Sequence, residues 1–275
     1  MKRKVKFFDT SLFKDFLYIL STAGVFFSFF SIIIDVSNKA KIFVGLALII
    51  ILFIIYLGMW IRANTLTSIE LSVDNSKVIV KIGNIFNEPG LKVIAFNEYF
   101  DTKVDNEIIS QNTLNGLYLN TIVPDIEELD RLIEQSEYLR EKIESENATR
   151  VKGKKKRYRL GTIHQNDEYL LTAFSRFDNN NRAYLYMNDY ISLLLNFWNE
   201  VDIIYAGRSV VLPLMGAGIT RFKEYNNVTD QELLELLLWS FKISRIKFTH
   251  PSTVTIIIHS SRKDKINFYK LKGVL

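Results

Sequence analysis

Val210-Val-Leu-Pro-Leu-Met-Gly-Ala-Gly-Ile-Thr-Arg-Phe222 is the stretch around which the chain is organised. Its first half is a short apolar run with β-branched residues, the pattern of a buried strand. The run breaks at Gly216-Ala217-Gly218. There the backbone can take a positive φ, and no bulky side chain holds a ligand away. Successive exposed N–H groups in such a loop form a nest for an anion, most often a phosphate. Phe222 follows closely enough to cover a sugar or base. A lone G-x-G is a weak signal, and a tight turn after a core strand has the same letters.

Outward from this stretch, strands and helices alternate. Ser68–Val73 and Lys77–Ile82 each alternate apolar and polar residues around the turn Asp74-Asn75-Ser76, which predicts a hairpin. Leu91–Phe96 is a strand that runs directly into Asn97-Glu98-Tyr99-Phe100-Asp101-Thr102. Polar residues at that position are where α/β folds place ligand contacts. Pro124-Asp125 opens a predicted charged helix over Asp125–Glu146, with Ile126, Leu129, Leu132 and Ile133 as its apolar stripe. Arg150–Arg159 holds seven basic residues in ten. That run suits anionic lipid, nucleic acid or a solvated hairpin edge; no interleaved aromatic supports base stacking, so nucleic acid is not expected as a partner. Glu168–Phe174 reads as a strand, Tyr186–Val201 as a helix, and Thr229-Asp230-Gln231-Glu232 as the capped start of another. Val254–Ile258 is the last strong strand, and Lys265–Leu271 a short terminal helix. The alternation predicts an α/β fold with a mixed sheet flanked by helices.

The chain has 275 residues, 48% of them hydrophobic, and that weight is concentrated in the first sixty. There is no cysteine, and the three histidines are scattered, so neither disulfides nor a zinc site is expected. Residues 16–34 and 42–61 carry no charge apart from the polar break at Asp35–Lys41 between them, and each is long enough to cross a bilayer. They predict a transmembrane hairpin within residues 1–65, followed by a single cytoplasmic domain over 66–275. Lys2, Arg3, Lys4, Lys6 and Lys14 precede the first span, whereas the break holds only Lys39 and Lys41 against Asp35. The excess of positive charge places both termini in the cytoplasm, as in a multi-pass cell-membrane protein. Gly24 and Ser28, with Ser21 and Ser31 near the same face, have the small-residue spacing that permits close helix contact.

Gly83-Asn84-Ile85, Val93-Ile-Ala-Phe-Asn97 and Leu212-Pro-Leu-Met-Gly-Ala-Gly-Ile-Thr-Arg-Phe222 stand in the order found in macro domains, which this chain resembles over about residues 66–275. Asn97–Thr102 and Thr113-Leu-Asn-Gly116, with the two preceding spans, resemble the membrane-anchored macro effectors of type II Thoeris antiviral defence. The resemblance implies binding of an ADP-ribose derivative, histidine-ADP-ribose in this subgroup, with no catalytic residue assigned. The signal would come from a partner enzyme with a Toll/interleukin-receptor domain, and the effector would act on the bilayer as a homo-oligomer. By position, Gly216, Ala217, Gly218, Ile219 and Thr220 would hold the diphosphate. Phe222 and Asn97 would lie at the distal ribose, and Asn84 and Ile85 near the adenine. Asp101, Thr102 and Asn115 would complete the distal pocket. Two departures stand out: Asn84 replaces the usual acidic residue, and Glu98–Gly116 replaces a glycine-rich stretch. The alternatives are a membrane-tethered ADP-ribosyl hydrolase, with Asn97, Asp101 and Asp105 orienting a water, or a scaffold that reads ADP-ribose.

Overall fold

A computed structural model describes residues 3–33, 37–224, 227–249 and 251–274. The chain opens with two long helices, α1 (Thr10–Ile33) and α2 (Asn38–Thr65). At 1.5 Å per residue they are about 36 and 42 Å long, enough in length and composition to cross a membrane. Phe26, Phe29, Ile42, Phe43 and Ile49 on them are exposed, as in helices that face an apolar solvent. Both helices overrun the predicted spans. Asp9 Oδ1 accepts from the amides of Ser11 and Leu12, so α1 starts at this cap and not at the first apolar residue. Lys39 and Lys41 lie in the first turns of α2, not in a polar break, and Asp35 lies outside the described residues. Beyond the second predicted span, Arg62–Thr65 continue α2, which leaves only Leu66 and Thr67 before the first strand.

The base of this hairpin is anchored. Asn64 Oδ1 accepts from the amides of Lys4 and Val5 at 2.8 and 3.0 Å, and Trp60 Nε1 donates to Val5 O at 3.0 Å. Val5, Leu12, Tyr56 and Ala63 form a small buried cluster together with Tyr269 from the far end of the chain. Gly24, on the small-residue face, has open space where a Cβ would stand. Ser28 Oγ donates back to Gly24 O at 2.8 Å, and the side chain of Ser31 lies outside the described residues.

The remainder is a three-layer α/β domain. In chain order its elements are β1 (Ser68–Val73), β2 (Ser76–Ile82), β3 (Leu91–Asn97), α3 (Leu114–Thr121), α4 (Ile126–Gln135), α5 (Glu137–Arg140), β4 (Ile143–Glu146) and β5 (Lys156–Tyr158). Then come β6 (Ile163–Asn166), β7 (Tyr169–Phe177), β8 (Ala183–Leu185), α6 (Met187–Ile204), β9 (Val210–Pro213), β10 (Arg221–Phe222), α7 (Asp230–Ser244) and β11 (Thr253–Ile258). The main sheet runs β1-β2-β11-β9-β3-β7-β8-β10, with β6 paired to β7. From β2 to β7 every neighbouring pair is parallel. Their carboxyl ends therefore share one edge, which receives Gly83-Asn84-Ile85, the loop after Pro213 and Asn97-Glu98 together. Alternation sorts the side chains between two faces. Leu91 and Val93 join the core under α6 and α7, while Ile94 and Phe96 join the core under α3, α4 and α5.

The predicted helix over Asp125–Glu146 is three elements. Ser136 leaves helical geometry and accepts from Leu139 N, starting a separate short turn, and Ile143–Glu146 pairs antiparallel with β5. The basic run forms this second hairpin, but it is not wholly solvated: the Arg150 side chain is 6% exposed and paired with Asp101 at 2.7 Å. The predicted terminal helix over Lys265–Leu271 is two 3-10 turns, Ser260–Lys265 and Lys270–Gly273, separated by a break that begins at the extended Ile266.

Candidate functional site

The loop that follows β9 is held from beneath. Leu214 N donates to Ile257 O at 3.1 Å, and the buried Tyr190 hydroxyl donates to Met215 O at 3.1 Å. Gly216 has φ +83°, and a Cβ there would stand 3.2 Å from the Phe222 ring. A side chain is thus disfavoured on two counts: left-handed backbone and a tight neighbour. Phe222 is 9% exposed and meets the Tyr190 ring edge-on at 5.4 Å, so it buttresses the loop from the core side. Gly218 lies open, with nothing within 4 Å of where a Cβ would be. The loop opens as a hydrogen-bonded turn at Met215-Gly216; among the described residues, the amides of residues 218–220 donate to no acceptor in the chain. Free N–H groups in a glycine turn can form a nest for an anion.

This loop forms one wall of a cleft of about 380 Å³, lined by Gly216, Ala217, Gly218, Thr220 and Phe222. The opposite wall comes from the start of α7 and the segment after β11: Asp230, Leu233, Arg262 and Lys265, with Arg221 at the rim. Arg262 Nη1 lies 3.0 Å from both oxygens of Asp230, and Lys265 Nζ is 4.0 Å from the nearer one. The cleft lining thus holds three cations and one carboxylate, and the positive N-terminal end of α7 lies at the same cleft. Thr229 and Glu232 form a reciprocal capping box that fixes that end, and the cap's N–H and hydroxyl hold the Glu232 carboxyl below its usual range. The arrangement suits a diphosphate or similar anion of small size. Asp230, Arg262 and Lys265 had no sequence signal as a group, because Asp230 and Arg262 lie 32 residues apart in different elements.

The other predicted site residues sit on the same edge of the sheet but do not line this cleft. Asn84 is exposed, and its side chain accepts from Phe86 N. Ile85 is buried against Val211 and Ile257. Asn97 is 3% exposed; its Oδ1 accepts from the amides of Tyr99 and Asp101 and its Nδ2 donates to Asp101 at 3.0 Å. Asp101 also accepts from Arg150 and from Lys154 N. The Arg150 guanidinium lies over the Tyr99 ring at 3.8 Å, which completes a buried, fully occupied lock on this loop. Thr102 donates to Asp130 at 2.7 Å, and Asn115 Oδ1 accepts from Thr113 Oγ1 and Gly116 N. Asp105 accepts from the amides of Ile108 and Glu107, which hold its carboxyl below the usual range. Glu98, next to Asn97, was not singled out from sequence. It is 1% exposed and bonded to Phe177 N and Arg176, and burial raises its pKa against those partners.

A family model described as the Macro domain of Thoeris protein ThsA matches residues 78–259. The Thoeris protein ThsA of Bacillus amyloliquefaciens (strain Y2) is 41% identical over 261 residues, which cover 93% of this chain and 86% of that protein. Among solved structures, an Oceanobacillus iheyensis macrodomain with ADP superposes with a TM-score of 0.49 at 12% identity, over 75% of this chain and 94% of that one. The same macrodomain with MES bound gives 0.48 at 11% identity, over 74% and 94%.

Proposed function

The chain belongs to the Thoeris ThsA macro-domain family, and from that premise we propose that it is a membrane-anchored antiphage effector switched by an ADP-ribose-derived signal. The observation that carries this reading is the glycine loop that lines one open cleft together with Arg262 and Lys265. The diphosphate of the signal lies against Gly216, Ala217, Gly218, Ile219 and Thr220. The signal itself, histidine-ADP-ribose, is made from NAD by a Toll/interleukin-receptor-domain enzyme during infection. Asn84 and Ile85 contribute to the adenine end, and Asn97, Asp101, Thr102 and Asn115 shape the distal end. Asn97 and Asp101 act there as a rigid wall, because their polar atoms are already engaged by the chain. The same engagement argues against hydrolysis, since neither group is free to orient a water.

The two apolar helices are the membrane device, crossing as a hairpin with both termini in the cytoplasm. Ligand binding drives rearrangement of a homo-oligomer, disrupts the bilayer and halts the infected cell. A ligand achieves this only through better affinity for the active assembly than for the resting one. The test is co-expression of the full-length protein with the signal-making enzyme, scoring growth and a membrane-potential dye. Depolarisation and arrest should appear only when both proteins are active. Arrest with a polarised membrane would reduce the hairpin to an anchor, and continued growth would reject the effector reading.

A further inference from the structure

The two ends of the molecule, cleft and hairpin, meet on one short piece of chain. Residues 262–272 touch the cleft through Arg262 and Lys265, which face Asp230. They grip the first turns of α7 through Asn267 N to Gln231 Oε1 at 2.8 Å and Lys270 Nζ to Glu235 at 2.8 Å. Two to seven residues further along, the same piece holds the hairpin base. Asn267 Nδ2 donates to Lys4 O at 3.2 Å, the Tyr269 hydroxyl donates to Asp15 at 2.5 Å, and Lys272 reaches the same carboxylate at 3.4 Å. Tyr269 is buried among Val5, Leu12, Tyr56 and Ala63, while its neighbours Ile266, Phe268 and Leu271 are buried in the domain core. Side chains thus alternate between the two bodies. By contrast, Leu66 and Thr67 join α2 to the edge strand β1, far from the loop after β9 in the strand order.

We infer that residues 262–272 are the link by which occupancy of the cleft acts on the hairpin, with Asp230–Arg262 as the contact at the cleft end and Asp15–Tyr269 as the contact at the membrane end. The inference rests on the ligand reading above. A diphosphate in the cleft offers Arg262 and Lys265 more anionic oxygens than Asp230 does, so it draws them from Asp230 towards the glycine loop. Because Ile266, Phe268 and Leu271 fix the piece along its length, a shift at Arg262 is carried to Tyr269 and is not absorbed as slack. The contact with Asp15 then loosens, and the hairpin base is free to repack. By linkage, the resting Asp15–Tyr269 contact must oppose ligand binding by the same factor that binding opposes it.

The native chain lacks cysteine, so two introduced thiols carry the only labels. Lys14→Cys and Gly273→Cys are suited to this: both sites are exposed, and a Cβ at Gly273 meets open space. With nitroxides on both, the full chain in nanodiscs is measured by pulsed spin-label distance experiments with and without saturating ADP-ribose, and its binding by calorimetry. The expected result is a binding heat together with a shift of about 2 Å or more in the distance distribution. A binding heat with an unchanged distribution overturns the link and leaves the ligand reading standing; absence of binding overturns both. Independently, Tyr269→Phe keeps the buried ring and removes only the hydroxyl. It should tighten ADP-ribose binding by about threefold, although the residue is remote from the ligand. An unchanged or weaker affinity overturns the link.

Discussion

Gly218→Asp tests the anion loop directly. Gly218 lies open and needs no left-handed φ, so an aspartate fits without strain and the fold should survive. Its carboxylate would share the cleft with the bound diphosphate. At about 5 Å and an effective dielectric near 40, each pair of like charges costs about 1.7 kcal/mol. Two phosphate charges then give about 3.3 kcal/mol, or roughly 200-fold in affinity. Gly218→Ala is the control for shape: it adds a methyl in open space and should stay within about threefold. Binding of ADP-ribose to both variants of the full-length protein is measured by calorimetry, with thermal melts to verify folding. The aspartate penalty should shrink as salt is raised, because partly exposed charges are screened. A folded Gly218→Asp protein with native affinity would remove this loop from the site. Equal losses for alanine and aspartate would make the effect steric and refute the charge argument.

Gly216→Ala forces an L residue to φ +83° beside the Phe222 ring, and should cost about 1–2 kcal/mol, read as a lower denaturation midpoint. The His164 imidazole is held down to about 4 by burial, assisted by Lys154, and its Nε2 has no partner among the described residues. The unfolded chain takes up a proton below about 6.5, so stability present above that pH is lost as pH falls towards 4. The loss should reach about 3 kcal/mol in urea melts and be absent in His164→Gln. Deleting Met1–Ala63 should leave a domain that binds ADP-ribose, since every residue lining the cleft lies later in the chain, yet is harmless when the signal is made. Growth arrest by the truncated form would favour an enzymatic role. Tags at Met1 and Leu275 should both be protected from labelling outside the cell, and labelling of either end would reject the hairpin topology.

Sequence alone determined what repeats locally. The two apolar runs, the hairpin around Asp74-Asn75, the strands at Leu91, Val210 and Val254 and the helix opened by Thr229 all follow from short-range periodicity and capping chemistry. The glycine loop was legible for the same reason: Gly216 answers to a backbone angle set within one turn. The short strands β6, β8 and β10 were not legible, because their pairing partners create them. Tertiary structure decided the direction in which polar groups face. It turned Asn97 and Asp101 into a closed lock with Arg150, a residue that the sequence placed only in a basic run of open role. It also assembled the charged wall from Asp230 and Arg262, and brought Asp15 to Tyr269 across 254 residues. Periodicity reports which face of an element is buried, but a polar side chain's partner is set by which distant segments the sheet order brings together. That order is fixed by burial of the whole core and is written in no local stretch.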